Sequence, residues 1–138
     1  METLAFDDVP LGARRDRSVR VGSEALDAFA GLTGDMNPLH MDAAFAGGKG
    51  FTGRVAHGML VSSYFSALIG TMLPGRDCLL QSAKFDYKKP VLEGEALTFS
   101  VEVVQKVESV RVLVLDAKAV GPDGTLRVSG RIQVGFTA

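Results

Sequence analysis

The sequence predicts an α+β fold in which a curved antiparallel β-sheet wraps around one buried α-helix. The first observation is an apolar stretch at 59–73, MLVSSYFSALIGTML, which is hydrophobic on nearly every face of a helix and must therefore be enclosed. The second is that the segments after residue 83 alternate apolar and polar positions, which is the period of a β-strand. The third is a turn signal between two of these segments, GPDG at 121–124.

The first elements of the chain are a strand and a short helix. Residues 14–21 predict an exposed strand. Ser23 is suited to cap the N-terminus of a helix over 24–32, whose apolar side chains recur at helical spacing. Thr33-Gly34 is expected to end this helix.

The segment 34–57 is rich in glycine and predicts an ordered loop with one helical turn from Asp42 to Phe45. The apolar helix follows, and Leu73-Pro74-Gly75 is expected to end it. Beyond it, strands are predicted over 83–90, 96–104, 109–120 and 125–134.

Length and composition indicate a single globular domain over residues 1–138, with 46% hydrophobic and 22% charged residues. The net charge of -1 argues against nucleic acid as a partner, since nucleic-acid-binding domains carry a basic excess. The apolar stretch falls short of the ~20 residues that a membrane span needs, so no membrane partner is expected. The single cysteine, Cys78, excludes an internal disulfide, and the first residues lack the pattern of a secretory signal. A cytoplasmic location is therefore expected.

An acid and an imidazole stand close together in LTGDMNPLH (32–40). Pro38 lies between Asp35 and His40, and it rules out one continuous helix through this segment. Asn37 precedes the proline and is pushed toward extended geometry, so the chain must turn and can bring the two side chains into one small space. Placed around one water molecule, the two side chains would act together as general acid and general base. The alternative is that Asp35 only makes an Asx-turn and His40 only packs or caps.

A second candidate lies in GRVAHGML (53–60), at the start of the apolar helix. Gly58 has no side chain, so a ligand carbonyl can approach the unsatisfied N–H groups of the helix N-terminus. The alternative is that Gly58 only permits tight packing. His57 is interpreted as a helix-start residue and not as the catalytic base. Ser66 either hydrogen-bonds toward this site or bonds back to a carbonyl of its own helix.

The remaining candidate functional residues do not belong to a motif with a recognisable spacing. Lys49, Arg54, Lys88 and Lys89 either meet phosphate groups or are solvated surface charges. Cys78 has no base near it in the sequence, so a nucleophilic role is not expected.

The motifs GDMNPLH and RVAHGML together resemble the MaoC-like, (R)-specific enoyl-CoA hydratase family (hydratase 2), and the resemblance covers nearly the whole chain. It implies a single hot-dog fold, with Asp35 and His40 as the catalytic dyad that holds the reacting water. It also implies that the Gly58 N–H polarises the thioester carbonyl, and that Ile69 lies near the limit of the acyl pocket. The residues that it places at the substrate are Asn37, Ser66 and Ile69.

The activity that the resemblance implies is that of a hydro-lyase, which adds water across the C2–C3 double bond of a trans-2-enoyl thioester or removes it in reverse. The substrate would be an acyl-CoA or acyl-carrier-protein thioester and the assembly a homodimer or higher homo-oligomer. Neither a metal nor a redox cofactor is expected. Two rival interpretations are a hot-dog acyl-CoA thioesterase and a non-catalytic acyl-CoA-binding subunit. Acyl chain length, the carrier, the physiological direction and the pathway are open at this stage.

Overall fold

The computed structural model describes residues 1–137. Within them, a 3₁₀ turn at Phe6–Asp8 precedes the α-helices and β-strands. The helices are α1 (Ser23–Thr33), α2 (Pro38–Met41), α3 (Ala43–Gly48) and α4 (Gly58–Thr71). The strands are β1 (Arg14–Arg20), β2 (Cys78–Tyr87), β3 (Ala96–Val107), β4 (Val112–Val120) and β5 (Leu126–Phe136).

The strands form one 5-stranded antiparallel sheet with the order β1-β3-β4-β5-β2. The consecutive strands β3, β4 and β5 are neighbours, with Phe99 opposite Ala119 and Leu115 opposite Ile132. β1 pairs with β3 and β2 pairs with β5, so β1 and β2 form the two edges of the sheet. Each edge strand thus offers one side of its backbone for a further strand.

Helix α4 packs against one face of this sheet. Phe65 of α4 stacks on Phe85 of β2 at 5.4 Å between ring centroids, and it meets Phe99 of β3 edge-on at 5.2 Å. Burying each such side chain contributes about 1.5–3 kcal/mol, so this contact is a main part of the core. The predicted fold of an antiparallel sheet packed on a helix is confirmed. The alternating apolar residues of β3 are at most 1% exposed: Leu97, Phe99, Val101 and Val103.

Helix α4 is not enclosed on every side, so the prediction of complete burial is wrong. Met59 is 70% exposed, and Ser63 and Ser66 are exposed as well. The sheet of one chain covers one side of α4, and these residues lie on the other side. Among residues 1–137, no helix combines the length and the hydropathy that spanning a bilayer requires.

The segment between α1 and α4 is more helical than predicted. Instead of one turn from Asp42 to Phe45, it contains both α2 and α3. Asn37 caps α2, with its Oδ1 accepting from the N–H of Leu39 at 2.9 Å, and Pro38 fits the first helical position. The carboxylate of Asp42 caps α3 in the same way. These two caps allow two very short helices to form where periodicity alone does not indicate them.

Other element boundaries also differ from the prediction. Gly22, not Ser23, is the N-cap of α1, and the Ser23 hydroxyl instead donates to Glu93 at 3.0 Å. β2 begins at Cys78, well before the predicted start, because Cys78 pairs with Phe136 at the end of β5. Pairing with a distant strand thus extends β2 through residues that lack clear alternation.

The buried guanidinium group of Arg127 links β5 to the segment that follows β2. Arg127 of β5 is 6% exposed, and it donates two bonds of 2.9 Å to the carboxylate of Glu95 and one of 3.1 Å to the carbonyl of Pro90. The N–H groups of Lys88 and Lys89 in turn donate to the Arg127 carbonyl. The hydrogen bonds from Arg127 hold the pKa of Glu95 below its usual range.

Arg127→Met is expected to lower the free energy of unfolding by about 1–3 kcal/mol near neutral pH. Removing one partner of a buried pair leaves the other uncompensated, and the cost is moderate here because Glu95 keeps some access to water. Since the folded pKa of Glu95 is lowered, the contribution of the pair is present above the ordinary value of 4.5 and is lost as the pH falls through the folded value. Urea unfolding at about pH 7 and about pH 3 measures both effects. A difference between wild type and variant that stays constant over this range would contradict the assignment.

Candidate active site

The turn between α1 and α2 brings Asp35 to His40. α1 ends at Gly34, whose φ of 81° lies in the left-handed region that glycine adopts without strain. The Asp35 Oδ1 then accepts from the N–H of Asn37 at 3.3 Å, which closes an Asx-turn. Pro38 begins α2, and His40 lies on that helix. The Asx-turn and the close approach of acid and imidazole, which were alternatives in the sequence, are therefore both present.

His40 presents an imidazole nitrogen to Asp35. Its Nδ1 lies 2.7 Å from the carbonyl oxygen of Val55, and because a carbonyl only accepts, Nδ1 carries the proton. In the neutral ring, Nε2 is then an acceptor. A carboxylate oxygen of Asp35 and a ring nitrogen of His40 lie within 4.8 Å of each other. Asp35 is exposed and His40 is half-buried, so a water molecule can reach both groups.

His57 is a second imidazole in this cluster, and the sequence did not predict its contacts. It is the N-cap residue of α4 and is 1% exposed. Its Nε2–H donates to the backbone carbonyl of Asp35 at 3.1 Å, while its buried Nδ1 has no partner within residues 1–137. Its ring stacks on His40 at 4.1 Å and packs on Phe29 at 4.8 Å. His57 therefore holds the Asp35 backbone and the His40 ring in one arrangement, and we interpret it as a positioning residue.

Asp35, His40 and His57 are also residue types that bind metal ions, and one ligand atom of each lies within 4.8 Å of the other two. The two imidazole planes are only 30° from parallel, whereas two rings that share an ion must direct their nitrogen lone pairs at one point. Nδ1 of His40 and Nε2 of His57 are engaged with carbonyl oxygens, so only the other nitrogen of each ring could serve as a ligand. This geometry fits an acid–base cluster better than a metal centre.

Gly58 is the first residue of α4, as predicted, and its N–H is one of the helix donors without an intrahelical partner. No side chain within residues 1–137 caps this N-terminus. Gly58 and His40 line the same cleft, of about 280 Å³, together with Tyr87. A Cβ atom on Gly58 would lie 3.1 Å from the Tyr87 ring, so the glycine permits close packing as well as access to the donors. These donors and the helix dipole favour an oxygen that carries negative charge at this place.

The three predicted substrate-binding residues lie outside this cleft. Ser66 and Ile69 line a second, largely apolar cavity of about 200 Å³ beside Phe65. Ser66 follows Gly58 by 8 positions, a distance of roughly 12 Å along a helix. Asn37 is exposed, and its Oδ1 is engaged in capping α2. The reacting groups and the predicted substrate contacts therefore occupy separate places on the molecule.

The candidate positive charges have different environments. Lys88 and Lys89 line the cleft that contains His40. The Arg54 side chain is only 12% exposed and pairs with Glu93 at 3.0 Å, so neither alternative from the sequence, a phosphate contact or a solvated charge, describes it. The ion pair of Arg54 with Glu93 links the segment before α4 to the turn before β3.

The Cys78 thiol is half-buried, and burial raises its pKa. A raised pKa disfavours the thiolate, which is the nucleophilic form. The environment of Cys78 thus agrees with the expectation that it is not a nucleophile.

A five-stranded antiparallel sheet with a helix packed on one face, and an acid–imidazole cluster beside the N-terminus of that helix, define a hot-dog domain with a candidate acid–base site. Solved structures agree with this fold. The R-hydratase PhaJ1 from Pseudomonas aeruginosa matches with a TM-score of 0.91 and 28% identity, over 97% of this chain and 86% of that chain. The (R)-hydratase from A. caviae involved in PHA biosynthesis matches with a TM-score of 0.90 and 35% identity, over 93% of this chain and 97% of that chain.

The chain belongs to the MaoC-like domain family, whose model matches residues 8–121. An (R)-specific enoyl-CoA hydratase from Aeromonas caviae is 34% identical over 131 residues, which are 95% of this chain and 98% of that protein. The family and the hot-dog fold that the sequence motifs predict are therefore confirmed.

Proposed function

We propose that this chain is a hydro-lyase, an (R)-specific enoyl-CoA hydratase that adds water to a trans-2-enoyl thioester and, in reverse, dehydrates the 3-hydroxyacyl thioester. One observation carries the proposal. His40, with the Asp35 carboxylate within 4.8 Å of it, lines the same cleft as the uncapped N-terminus of α4 at Gly58. The similarity to proteins named (R)-specific enoyl-CoA hydratase and (R)-hydratase supports the same reaction.

The Gly58 N–H binds the carbonyl oxygen of the thioester. When water attacks C3, the electrons of the C2–C3 double bond shift toward that oxygen, which gains the charge of an enolate. A fixed backbone donor at a helix N-terminus stabilises this charge more than it stabilises the neutral carbonyl. Such a donor typically contributes about 2.7–4 kcal/mol to lowering the barrier.

Asp35 and His40 hold the water molecule that reacts. The Asp35 carboxylate accepts one proton of the water as general base, and Nε2 of His40 orients the water by accepting from its second O–H. The oxygen bonds to C3, and a proton is returned to C2 on the same face through the dyad. One O–H bond of water and the π bond between C2 and C3 are broken, and one C–O and one C–H bond are formed, so the bonds and atoms balance.

The substrate is a thioester of coenzyme A or of an acyl-carrier protein. Both carriers hold the acyl group on a phosphopantetheine arm. Lys88 and Lys89 line the cleft beside His40, where their positive charges suit a phosphate group. Turnover of the CoA thioester compared with that of the acyl-carrier-protein thioester distinguishes the two carriers.

We further propose that the chain forms a homodimer through β2. This strand is an edge of the sheet, so one side of its backbone has no strand partner within residues 1–137. Leu79 and Leu80 on β2 are 54% and 51% exposed, and Met59 at the start of α4 is 70% exposed. A second copy related by a two-fold axis would cover both the edge and these side chains. Analytical ultracentrifugation tests the proposal, and a monomer at assay concentrations would contradict it.

We also propose a cytoplasmic location. The support is the use of cysteine, since the chain has only Cys78 and therefore contains no internal disulfide of the kind that extracellular proteins use. Fractionation of cells that produce the protein tests the proposal, and recovery of the chain outside the cytoplasmic fraction would contradict it.

The proposed reaction is tested with purified protein and trans-2-enoyl-CoA substrates of increasing chain length. Loss of the conjugated enoyl-thioester absorbance is followed, and free thiol is measured in parallel. Loss of absorbance without thiol, with the (R)-3-hydroxyacyl thioester as product, is the expected result. Release of thiol would instead identify an acyl-CoA thioesterase, and binding without turnover would identify an acyl-CoA-binding subunit.

His57→Phe is expected to lower kcat by between about tenfold and a hundredfold with a smaller change in KM. The phenyl ring keeps the stacking on His40 but removes the donor to the Asp35 carbonyl, so the base loses its position while the cleft stays intact. His57→Gln is the matched variant, because its amide N–H restores a donor at similar reach. Steady-state kinetics compare the two, with thermal unfolding as a check of the fold. Little loss in His57→Phe together with a larger loss in His57→Gln would show that His57 acts only through packing.

A further inference from the structure

We propose that Tyr87 is a specificity-determining residue, which separates the cleft of the reacting groups from the second, apolar cavity and so limits the length of acyl chain that the enzyme accepts. The inference rests on the proposed hydratase function, because that function places an acyl thioester in the cleft.

The Tyr87 side chain connects the walls of two cavities. The first, of about 280 Å³, is lined by His40, Gly58 and Tyr87 itself. The second, of about 200 Å³, is lined by three serines, Ser62, Ser63 and Ser66, and otherwise by apolar side chains. The apolar part of that lining comes from α4, β2 and β5 and includes Phe65, Ile69, Leu80, Phe85 and Ile132.

Two contacts hold the phenol between these cavities. On one side, the ring packs against the start of α4, where a Cβ atom on Gly58 would lie 3.1 Å from it. On the other side, the Tyr87 hydroxyl donates to Oγ of Ser62 at 3.0 Å, and the Ser62 hydroxyl donates to the carbonyl of Met59 at 3.2 Å. The side chain thus reaches from the oxyanion donor of the first cavity to the wall of the second.

The second cavity has the chemistry of a site for an alkyl chain. An acyl group whose carbonyl is bound at the Gly58 N–H has its reacting carbons in the first cavity, and a longer tail must pass Tyr87 to reach apolar surface. Each methylene that the tail buries raises binding about fourfold. Tyr87 is 48% exposed, and its hydroxyl has only neutral partners, Oγ of Ser62 at 3.0 Å and Sδ of Met59 at 3.9 Å. Its ring is therefore a wall that a single substitution can remove.

The experiment measures the ratio of kcat/KM for trans-2-decenoyl-CoA to that for trans-2-butenoyl-CoA. Tyr87→Ala opens the wall and is expected to raise this ratio at least about tenfold, since the longer chain then buries two or more additional methylenes. Tyr87→Phe keeps the ring and removes the tether, so a smaller increase is expected. Ser62→Ala removes the same hydrogen bond by deleting its acceptor. Its increase in the ratio should therefore match that of Tyr87→Phe, and the double variant should show no further increase.

Leu11→Ala is the control, because Leu11 is an exposed apolar residue that lies outside β2 and outside the linings of both cavities. Its ratio is expected to equal that of the wild type. The oligomeric state of every variant is measured alongside, so that an effect on chain pairing is separated from an effect on chain length.

Binding of butyryl-CoA and decanoyl-CoA by calorimetry gives a readout that needs no turnover. A ratio of kcat/KM or of affinity that is unchanged in a folded Tyr87→Ala variant would overturn the role of Tyr87. Wild-type protein that binds both ligands but hydrates no enoyl-CoA would overturn the proposed function alone, and the affinity ratio would still decide the role of Tyr87. Binding of neither ligand would overturn both proposals.

Discussion

Asp35→Asn and His40→Ala are each expected to lower kcat for hydration by between about 10² and 10⁴-fold. Positioned acid–base groups contribute in this range, and in the proposed mechanism both variants remove such a group from the water that attacks C3. Asparagine retains an oxygen that accepts from the Asn37 N–H, so the Asx-turn at position 35 is preserved while the base is lost. Alanine at position 40 removes both imidazole nitrogens and the ring that packs on His57.

The enoyl-absorbance assay measures the loss, and Asp42→Asn is the matched control. Asp42 lies on the same segment and caps α3, a role that asparagine also performs, so its activity is expected to stay close to that of the wild type. The double variant of Asp35 and His40 should lose little more than either single variant, because the two residues act as one unit. Retention of more than about a tenth of wild-type kcat in a single variant would contradict the assigned roles.

Gly58→Pro is expected to lower kcat by about 10² to 10³-fold, because proline removes the backbone N–H that, in the proposed mechanism, binds the developing oxyanion. Proline is well tolerated at the first position of a helix, so α4 should still form. His57 before it has φ -56° and ψ 130°, which is the extended geometry that a residue preceding proline prefers. The substitution therefore deletes one donor with little change in the backbone.

Gly58→Ala separates the loss of the donor from the addition of side-chain atoms. Alanine keeps the N–H but places a Cβ atom 3.1 Å from the Tyr87 ring, which must move by a few tenths of an ångström. We expect a loss of kcat below about tenfold for Gly58→Ala, far smaller than for proline. Circular dichroism checks that α4 is intact in both variants. Similar losses in both would show that close packing, and not the N–H, is the role of Gly58.

The parts of the fold that could be predicted are those that depend on local patterns. The strands over β3 and β5 alternate apolar residues with period two, and the apolar run of α4 favours burial against the rest of the chain. The start of β2 could not be predicted, since Cys78 is extended only because it pairs with Phe136. Exposure of Met59 was also missed, because the hydropathy of a helix does not show how far one sheet covers it.

The candidate site likewise has contacts that could be predicted from the sequence and contacts that could not. Asp35 and His40 are close in the chain, and Pro38 forces the turn between them, so their meeting follows from local geometry. The contact from His57 to Asp35 crosses 22 positions and that from Tyr87 to Ser62 crosses 25. Contacts of this range depend on how α4 and β2 pack, and a single sequence carries no signal for them.

The proximity of Asp35 to His40 and the position of Gly58 at the start of α4 could thus be predicted from the amino-acid sequence, since turn chemistry and periodicity act over a few residues. The contact of His57 with Asp35, the position of Tyr87 between Gly58 and Ser62, and the placement of Ser66 and Ile69 in the second cavity depend on the folded chain. The reason is physical, because these features are made by side chains from different elements. Burial of apolar surface brings those elements together only when the sheet and α4 have packed.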